Sequence, residues 1–515
     1  MDNSKYCLIS VSDKDGISDF AKSIAKLGYK IISTGGTLKH LQNSGLHLGG
    51  VNLIPIEQIT GNPESFDGRM KTISFQIESG ILFDRKNPEH VKQAKELNIL
   101  PIDLVVCNLY PFEKENSIEN IDVGGPTMIR SAAKNYQNVI AIVDPKDYQI
   151  VSDALISKKA DEEFRRKLAA KAFWHLSFYD SQVARFFNRI QFPEELTIPL
   201  KRFGDLRYGE NPHQKATFYL EPGTNSPLKN LKWFWGRELS LVNLTDINAG
   251  LESIRSFGKP CAVVIKHNTP CGIALGENSS QALKRAIEAD PESAFGGVII
   301  LNKSFDLKSA KIIASFKDER RGNIDIIAAP KIEKNALDLL KKVRKTMGVY
   351  EFGDIPKQIK NETNLKWIEG GLIVQTPDID LETGFSNWEV VTKIKPTEDQ
   401  LAQMKIAWLF LTKMRSNAVI VVDKDLPMTR GIGTGQTSRV RATKIALEQS
   451  DSFCQDAILA SDSFFPFGDS VKEAAKHGIG AIIQQGDSIN DALSVDEANK
   501  AGIPMIFTHR RAFWH

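Results

Sequence analysis

The stretch Ala262-Val263-Val264-Ile265-Lys266-His267-Asn268-Thr269-Pro270-Cys271-Gly272-Ile273-Ala274 decides how the larger part of the chain is read. Residues 262–265 form a short apolar run rich in β-branched side chains, which predicts a buried strand. The run stops abruptly at Lys266-His267-Asn268, and Thr269-Pro270 with Gly272 then predict a turn. A cation and an imidazole at the end of a buried strand have a rigid support, near the rim where α/β proteins place ligands. The pair suits chemistry that both takes and gives a proton. A strand-end lysine in water and a histidine bonded to its own turn are the plainer outcome, and this stretch alone leaves the two level.

Working outward, similar apolar runs recur at 298–301 and 324–328, and again at 419–422, 457–460 and 481–483. The less regular stretch 352–397 separates them, which predicts two α/β subdomains at about 205–355 and 395–515. No strict repeat is visible, so any duplication there has to be structural. Residues 1–150 also alternate strands (6–11, 29–33, 104–108, 139–143) with helical patterns such as Ile17, Phe20, Ala21, Ile24 and Leu27. That order predicts a parallel sheet covered by helices. A long helix over 161–190 follows, and 191–204, with two prolines and little periodicity, marks the main boundary. The expected division is therefore 1–195 and 196–515.

Composition narrows the function. Of 515 residues, 42% are apolar and 25% charged, an ordinary globular balance. The net charge of +3 does not by itself call for a nucleic-acid or membrane-surface partner. Five cysteines, widely spaced and without a C-x-x-C, suggest neither a disulfide framework nor a thiolate zinc site. The start M-D-N-S-K lacks a signal-peptide core, and no apolar run approaches membrane-helix length. A cytoplasmic, reduced protein is expected.

Several polar stretches interrupt this scaffold. Ser33-Thr34-Gly35-Gly36-Thr37 lies between strand and helix, where hydroxyls and free helix amides cradle a phosphate. The turn 10–14 could add hydroxyls and Lys14; a plain capped turn is the alternative. Asp67-Gly68-Arg69-Met70-Lys71-Thr72 puts two cations on one side of an extended segment. Asn108-Leu109-Tyr110-Pro111-Phe112 leaves a tyrosine at a strand end. Asp122-Val123-Gly124-Gly125-Pro126-Thr127 opens a helix carrying Arg130 and Lys134 on one face. Leu206-Arg207-Tyr208-Gly209-Glu210-Asn211-Pro212-His213-Gln214 offers every kind of hydrogen-bonding group. Gly431-Ile432-Gly433-Thr434-Gly435 is neither a dinucleotide fingerprint nor a P-loop, but its glycines permit close approach of a ligand or another subunit. Ser461-Asp462-Ser463-Phe464-Phe465-Pro466-Phe467-Gly468-Asp469 offers Phe464 for stacking, against the commoner fate of core packing. The basic, aromatic ending 510–515 is unlike a frayed tail.

Together these stretches resemble the bifunctional purine-biosynthesis family that joins aminoimidazole carboxamide ribonucleotide (AICAR) formyltransferase to inosine monophosphate (IMP) cyclohydrolase. The resemblance covers nearly the whole chain and rests chiefly on L-R-Y-G-E-N-P-H-Q, K-H-N-T-P-C-G and S-D-S-F-F-P-F, supported by N-L-Y-P-F and G-G-P-T-M-I-R-S-A-A-K-N. It implies an α/β architecture: a methylglyoxal-synthase-like doubly wound parallel sheet first, then a duplicated cytidine-deaminase-like region. It implies formyl transfer from 10-formyltetrahydrofolate to AICAR, giving the formamide FAICAR, then dehydrative closure to IMP. For formyl transfer it implies Lys266, His267 and Asn417 as catalytic. Arg207, Tyr208, Asn243, Gly296, Asp325, Phe464 and Arg511 would line the ribonucleotide pocket, with Asp469 on the folate side. For cyclisation it implies Lys71, Tyr110, Asp122 and Lys134, with Ser12, Lys14, Ser33, Gly35, Gly36, Thr37 and Arg69 holding phosphate and ribose. It also implies a homodimer with shared formyltransferase sites and small-molecule partners only. Potassium is compatible with the family, although no ligand motif marks it here.

One departure stands out. After Lys71-Thr72 the family usually continues L-H-P-x-x-H-x-G, whereas this chain reads Ile73-Ser74-Phe75-Gln76-Ile77-Glu78-Ser79-Gly80. Both histidines are replaced, which supports a rival reading: a formyltransferase whose N-terminal domain binds nucleotide with reduced cyclisation. A zinc nucleoside deaminase is a second rival, but no H-x-E precedes Pro270-Cys271 and no cysteine follows at the required spacing.

Overall fold

The computed structural model describes residues 4–46, 53–66, 69–113, 115–320, 322–359, 363–378 and 383–515. Asp67 and Gly68 of the basic loop lie outside them. The chain divides into two compact units, 1–201 with 221–223, and 202–220 with 224–515.

In the first unit β1 (Lys5–Val11), β2 (Tyr29–Ser33), β3 (Leu53–Pro55), β4 (Ile102–Asn108) and β5 (Ile140–Ile142) pair in the order β3-β2-β1-β4-β5, all parallel. β1 and β4 are buried along most of their length, as strands covered on both faces must be. The covering helices are α1 (Ile17–Lys26), α2 (Gly35–Asn43), α3 (Glu57–Thr60), α4 (Phe75–Leu82), α5 (Pro88–Glu96), α6 (Gly124–Lys134), α7 (Tyr148–Ile156) and α8 (Glu162–Phe187). α1 shows why they form: Ile17, Phe20, Ala21 and Ile24 fall on one face and are buried. Strand order reverses between β1 and β4, so the carboxyl ends of those strands open a crevice.

A two-stranded sheet of β6 (Lys201–Leu206) and β7 (Ala216–Leu220) falls at the division. In the second unit β8 (Lys232–Trp235), β9 (Cys261–Lys266), β10 (Thr269–Leu275), β11 (Gly297–Leu301), β12 (Ile324–Ala329) and β13 (Gly348–Glu351) form a sheet ordered β10-β9-β11-β12-β13-β8. A hairpin of β14 (Asn364–Ile368) and β15 (Gly371–Gln375) follows. Then β16 (Glu389–Val390), β17 (Val419–Val422), β18 (Thr429–Gly433), β19 (Ile458–Ser461), β20 (Ala481–Gln484) and β21 (Met505–Phe507) form a sheet ordered β16-β21-β20-β19-β17-β18. The two sheets have one plan: an edge hairpin, an antiparallel step, two parallel steps, and an antiparallel strand at the far edge.

The helices repeat as well. α9 (Leu241–Ile254), α10 (Ser279–Ala289), α11 (Leu307–Arg320) and α12 (Lys334–Val343) match α13 (Glu398–Leu411), α14 (Arg439–Ser450), α15 (Asp469–Lys476) and α16 (Asp491–Ala501) in order. Even the starts agree: α9 opens on a capping box of Ser240 and Asn243, α13 on one of Thr397 and Gln400. α9 and α13 share one core, in which Ile247 and Leu251 pack with Met404, Trp408, Val263 and Ile420.

The turn expected at Thr269-Pro270 and Gly272 is elsewhere. His267 and Asn268 form it, with φ of 54° and 61°. Two successive left-handed residues are what a two-residue hairpin between twisted strands requires. Pro270 and Gly272 lie in β10, the edge strand, where a missing N–H is tolerated. Gly272 is there because a Cβ would come within 2.1 Å of the Ala286 carbonyl of α10. In the second repeat a Cβ on Gly433 would come within 1.9 Å of the Ala442 carbonyl of α14, and one on Gly431 as close to Ala446. Gly431 and Gly433 therefore serve the helix of their own repeat, while Gly435 takes a left-handed φ of 65°.

Candidate functional site

A cleft of about 650 Å³ opens at the switch point of the first sheet. Ser12 and Lys14 reach it from the end of β1, Gly36 and Thr37 from the start of α2, and Tyr110 from the end of β4. Arg69, Lys71 and Asp122 complete the set. Thr34 makes no side-chain cap at the amino end of α2, so among the described residues the backbone N–H groups there are left to the cleft as an anion cradle. Three cations share the space, two of them held by acids: Lys71 pairs with Glu64 at 2.8 Å and Arg69 with Glu119 at 2.5 Å.

Asp122 is the one carboxylate of the expected set. Its Oδ1 accepts the Gly125 N–H at 2.8 Å, at the entry to α6. Burial pushes its pKa up; the Gly125 N–H and the charge of Lys71 pull it back. A carboxyl so placed can carry a proton nearer neutral pH than an exposed one, which suits acid–base work. Three expected residues stand outside the lining. Ser33 is buried and donates to the Ile9 carbonyl at 2.9 Å. Gly35 packs against Glu64 and Lys71. Lys134 closes the last turn of α6 and is exposed.

Two residues that sequence reasoning missed shape this cleft. Asn108 is buried at the end of β4; its Oδ1 accepts the N–H groups of Ser12 and Asp13 at 2.7 and 2.8 Å, fixing the loop that carries Lys14. Tyr179 of α8 holds the segment 120–122 by its hydroxyl. A polar residue closing an apolar strand was the available signal for Asn108. None marked Tyr179.

In the second unit the expected residues gather in two groups, one per repeat. On the first sheet, the carboxyl end of β9 meets the amino ends of β11 and β12. This rim carries Lys266, His267, Gly296 and Asp325. Lys266 Nζ donates to the Phe295 carbonyl at 3.0 Å, and His267 is exposed on its turn. Asp325 pairs with Arg237. Arg207 lies over the Tyr208 ring, 4.7 Å from its centre, and donates to its hydroxyl at 3.0 Å. The backbone of that pair is pinned beside α9 by Arg207 N–H to Leu239 and by Leu241 N–H to the Tyr208 carbonyl. Asn243 is buried in the α9 capping box.

On the second sheet the group is built around a buried ion pair. Asp462, fully buried, pairs with Arg439, which also donates to Asn417 Oδ1 at 2.7 Å. Asn417 Nδ2 in turn donates to the Gln436 carbonyl at 2.8 Å. Phe465 is the core phenylalanine of its motif; Phe464 is half-buried and Asp469 exposed. The tail tucks in: Ala512 N–H meets the Asp462 carbonyl at 2.9 Å and Ser416 N–H the Trp514 carbonyl at 2.9 Å, with Arg511, just before Ala512, exposed. Cys271 donates to the Val264 carbonyl at 3.4 Å, and burial pushes its thiol up to about 12. Among the described residues no three His, Cys, Asp or Glu side chains cluster as metal ligands would.

The family described as AICARFT/IMPCHase bienzyme matches residues 132–449, and an MGS-like domain matches 16–146. "Bifunctional purine biosynthesis protein PurH" of Thermoanaerobacter sp. (strain X514) is 44% identical over 99% of this chain and 100% of its own. Proteins of that description from Oceanobacillus iheyensis and Bacillus cereus (strain B4264) are each 42% identical over the same shares. A solved structure, "Crystal structure of ForH", is 32% identical and covers 36% of this chain and 96% of its own, with a TM-score of 0.32.

Proposed function

The chain belongs to the AICARFT/IMPCHase bienzyme family, and we propose that its two reactions are divided between the cleft of the first unit and the two residue groups of the second. It is a bifunctional enzyme of the last two steps of purine synthesis: formyl transfer to AICAR, then closure of FAICAR to IMP. Full-length agreement with relatives named as bifunctional disfavours the reading in which the N-terminal domain only binds nucleotide.

For formyl transfer, the exocyclic amine of AICAR attacks the formyl carbon of 10-formyltetrahydrofolate. The new C–N bond leaves a tetrahedral oxyanion, whose collapse expels the folate nitrogen. His267 takes the amine proton, and Lys266 stabilises the oxyanion or protonates the leaving nitrogen. Asn417, aimed by Arg439, is the third polar contributor. Arg207, Tyr208, Asn243, Gly296, Asp325, Phe464 and Arg511 hold the ribonucleotide, and Asp469 the folate.

For cyclisation, the carboxamide nitrogen attacks the formamide carbon, and the formyl oxygen leaves as water. Both partners belong to one molecule, so holding them in the reactive geometry supplies much of the acceleration. The observation that carries this assignment is the half-buried carboxyl of Asp122 within the charge field of Lys71, in a cleft floored by the amides of α2. Ser12, Lys14, Ser33, Gly35, Gly36, Thr37 and Arg69 surround the phosphate and ribose. Tyr110 sits at the open edge. Lys134 is assigned to the set by resemblance alone.

The sites of the second unit are shared between two copies in a homodimer. The support is their split into two groups and the exposed Phe295, Phe467 and Phe513 near them, which need cover. Among the described residues no helix is long and apolar enough to cross a membrane. The reading further includes a cytoplasmic location, small-molecule partners only and no zinc, with potassium left open. Lys266→Ala and His267→Ala abolish formyl transfer yet leave cyclisation of FAICAR intact; retained transfer in both variants rejects the assignment. Mixing His267→Ala with Asn417→Ala protomers regenerates roughly a quarter of the sites if they are shared, and none if they are not.

A further inference from the structure

The duplication supplies an internal control for the turn that carries His267. Asp246 in α9 and Gln403 in α13 occupy the same position counted from their caps, Ser240 and Thr397. Both are buried, and both tie their helix to the segment that follows the matching strand. Asp246 Oδ1 accepts the Asn268 N–H at 2.7 Å; Gln403 Nε2 reaches the Lys424 carbonyl at 3.5 Å. The second repeat performs this tether with a neutral amide, so the tether itself needs no charge. Burying a carboxylate is costlier than burying an amide. The first repeat nevertheless has the carboxylate, directly beneath the one turn of the two that bears a histidine.

We propose that Asp246 is a positioning residue for formyl transfer: it fixes the left-handed His267-Asn268 turn and sets a negative charge against the imidazolium that forms when His267 takes the amine proton. The proposal rests on the reading of His267 as proton acceptor. Charged groups near that turn include Lys266, Asp325 and Asp290, besides Asp246. Lys266 on β9 is drawn to the Phe295 carbonyl, and Asp325 on β12 is paired with Arg237. Asp246 makes no ion pair among the described residues, and its carboxylate and the charge of His267 act on each other. Burial raises its pKa, and the Asn268 N–H and the charge of His267 act against that rise. Once the imidazolium gives up its proton, the same anion holds the neutral ring's turn in place for the next cycle.

The test uses the full-length enzyme and Asp246→Asn, which keeps an acceptor oxygen for Asn268 but removes the charge. Formyl transfer is measured against pH, with FAICAR cyclisation and a thermal melt as controls for folding. The expected result is a fall in kcat of about tenfold or more with KM for AICAR little changed. The acid limb of kcat/KM should also move to lower pH, because removing a nearby anion makes the protonated form of the base less favourable. Wild-type kcat and an unmoved limb overturn the proposal. So does a fall in kcat with an unmoved limb, which makes Asp246 a packing residue. His267→Ala, run alongside, separates the two levels: if that variant keeps transfer, the site reading fails rather than this one.

Discussion

The Tyr179 hydroxyl accepts the backbone N–H of Asp122 at 2.7 Å and donates to the Asn120 carbonyl at 3.1 Å. One buried phenol on the long helix α8 thus sets where the cleft's carboxylate stands. Tyr179→Phe leaves both backbone groups to find other partners, at a cost of about 1 kcal/mol for each bond lost. Cyclisation of FAICAR should slow several-fold in kcat while formyl transfer is untouched. Steady-state kinetics of the two half-reactions checks this.

Glu78 stands where the family usually has a histidine, and its surroundings suit a neutral acid. The Ser131 hydroxyl donates to Oε2 at 2.5 Å, but Oε1 is buried without a partner among the described residues. Burial raises its pKa, partly offset by Ser131. A carboxyl whose folded pKa is raised contributes stability below its unfolded pKa, and that contribution is lost as pH rises through the folded value. Glu78→Gln should therefore be more stable than wild type at pH 7. The gap should close as pH falls below about 4, where both states of the wild type are protonated. Denaturant unfolding at several pH values measures it; a gap that widens in acid rejects the account.

How much of this was legible in the sequence follows from the range of each interaction. β1, β4 and β9 announce themselves as apolar runs because each buries its own residues. Lys266 and His267 were visible because they end such a run. The turn was misplaced because Pro270 and Gly272 look like punctuation, whereas the left-handed positions went to His267 and Asn268, types that adopt them more readily than most but carry no glycine to announce it. Gly272 is instead demanded by Ala286 of α10, a contact no local pattern shows. Asp246, Tyr179 and Arg439 act on backbone or side chains far along the chain, so nothing in their neighbours marks them. The duplication was hidden for the same reason: its signature is strand order and cap position, with residue identity free to drift from Asp246 to Gln403.

The matching glycines predict matching damage. Gly272→Ala and Gly433→Ala each drive a methyl into a helix carbonyl, at 2.1 Å from Ala286 and 1.9 Å from Ala442. Neither obstacle is a flexible side chain, so strand and helix must separate. Each substitution should destabilise the second unit by about 1–3 kcal/mol, the usual cost of overpacking, or more. Formyl transfer should fall at elevated temperature while FAICAR cyclisation persists. Equal heat sensitivity of both activities would count against two separately stable units.

Arg439 and Asp462 make the sharpest case, because neither can be exposed to water in the folded chain. Arg439 is buried at its guanidinium and bonds Asp462, the Ser461 hydroxyl at 3.0 Å and Asn417 at 2.7 Å. Asp462 Oδ2 accepts the Ala418 N–H at 3.0 Å, so it is committed on both oxygens. Arg439→Met strands a buried carboxylate, a change that typically costs about 3–5 kcal/mol. It also frees Asn417, so formyl transfer should be lost even at temperatures where the chain remains folded. Adding Asp462→Asn removes the stranded charge while keeping an acceptor for Ala418. The double variant should then be more stable than Arg439→Met alone, although it carries one substitution more. Formyl transfer should not return with that stability, because Asn417 still lacks the guanidinium that aims it. Denaturation midpoints and formyl-transfer rates of Arg439→Met, Asp462→Asn and the double variant, compared with wild type in one cycle, separate the structural share of this ion pair from its share in catalysis.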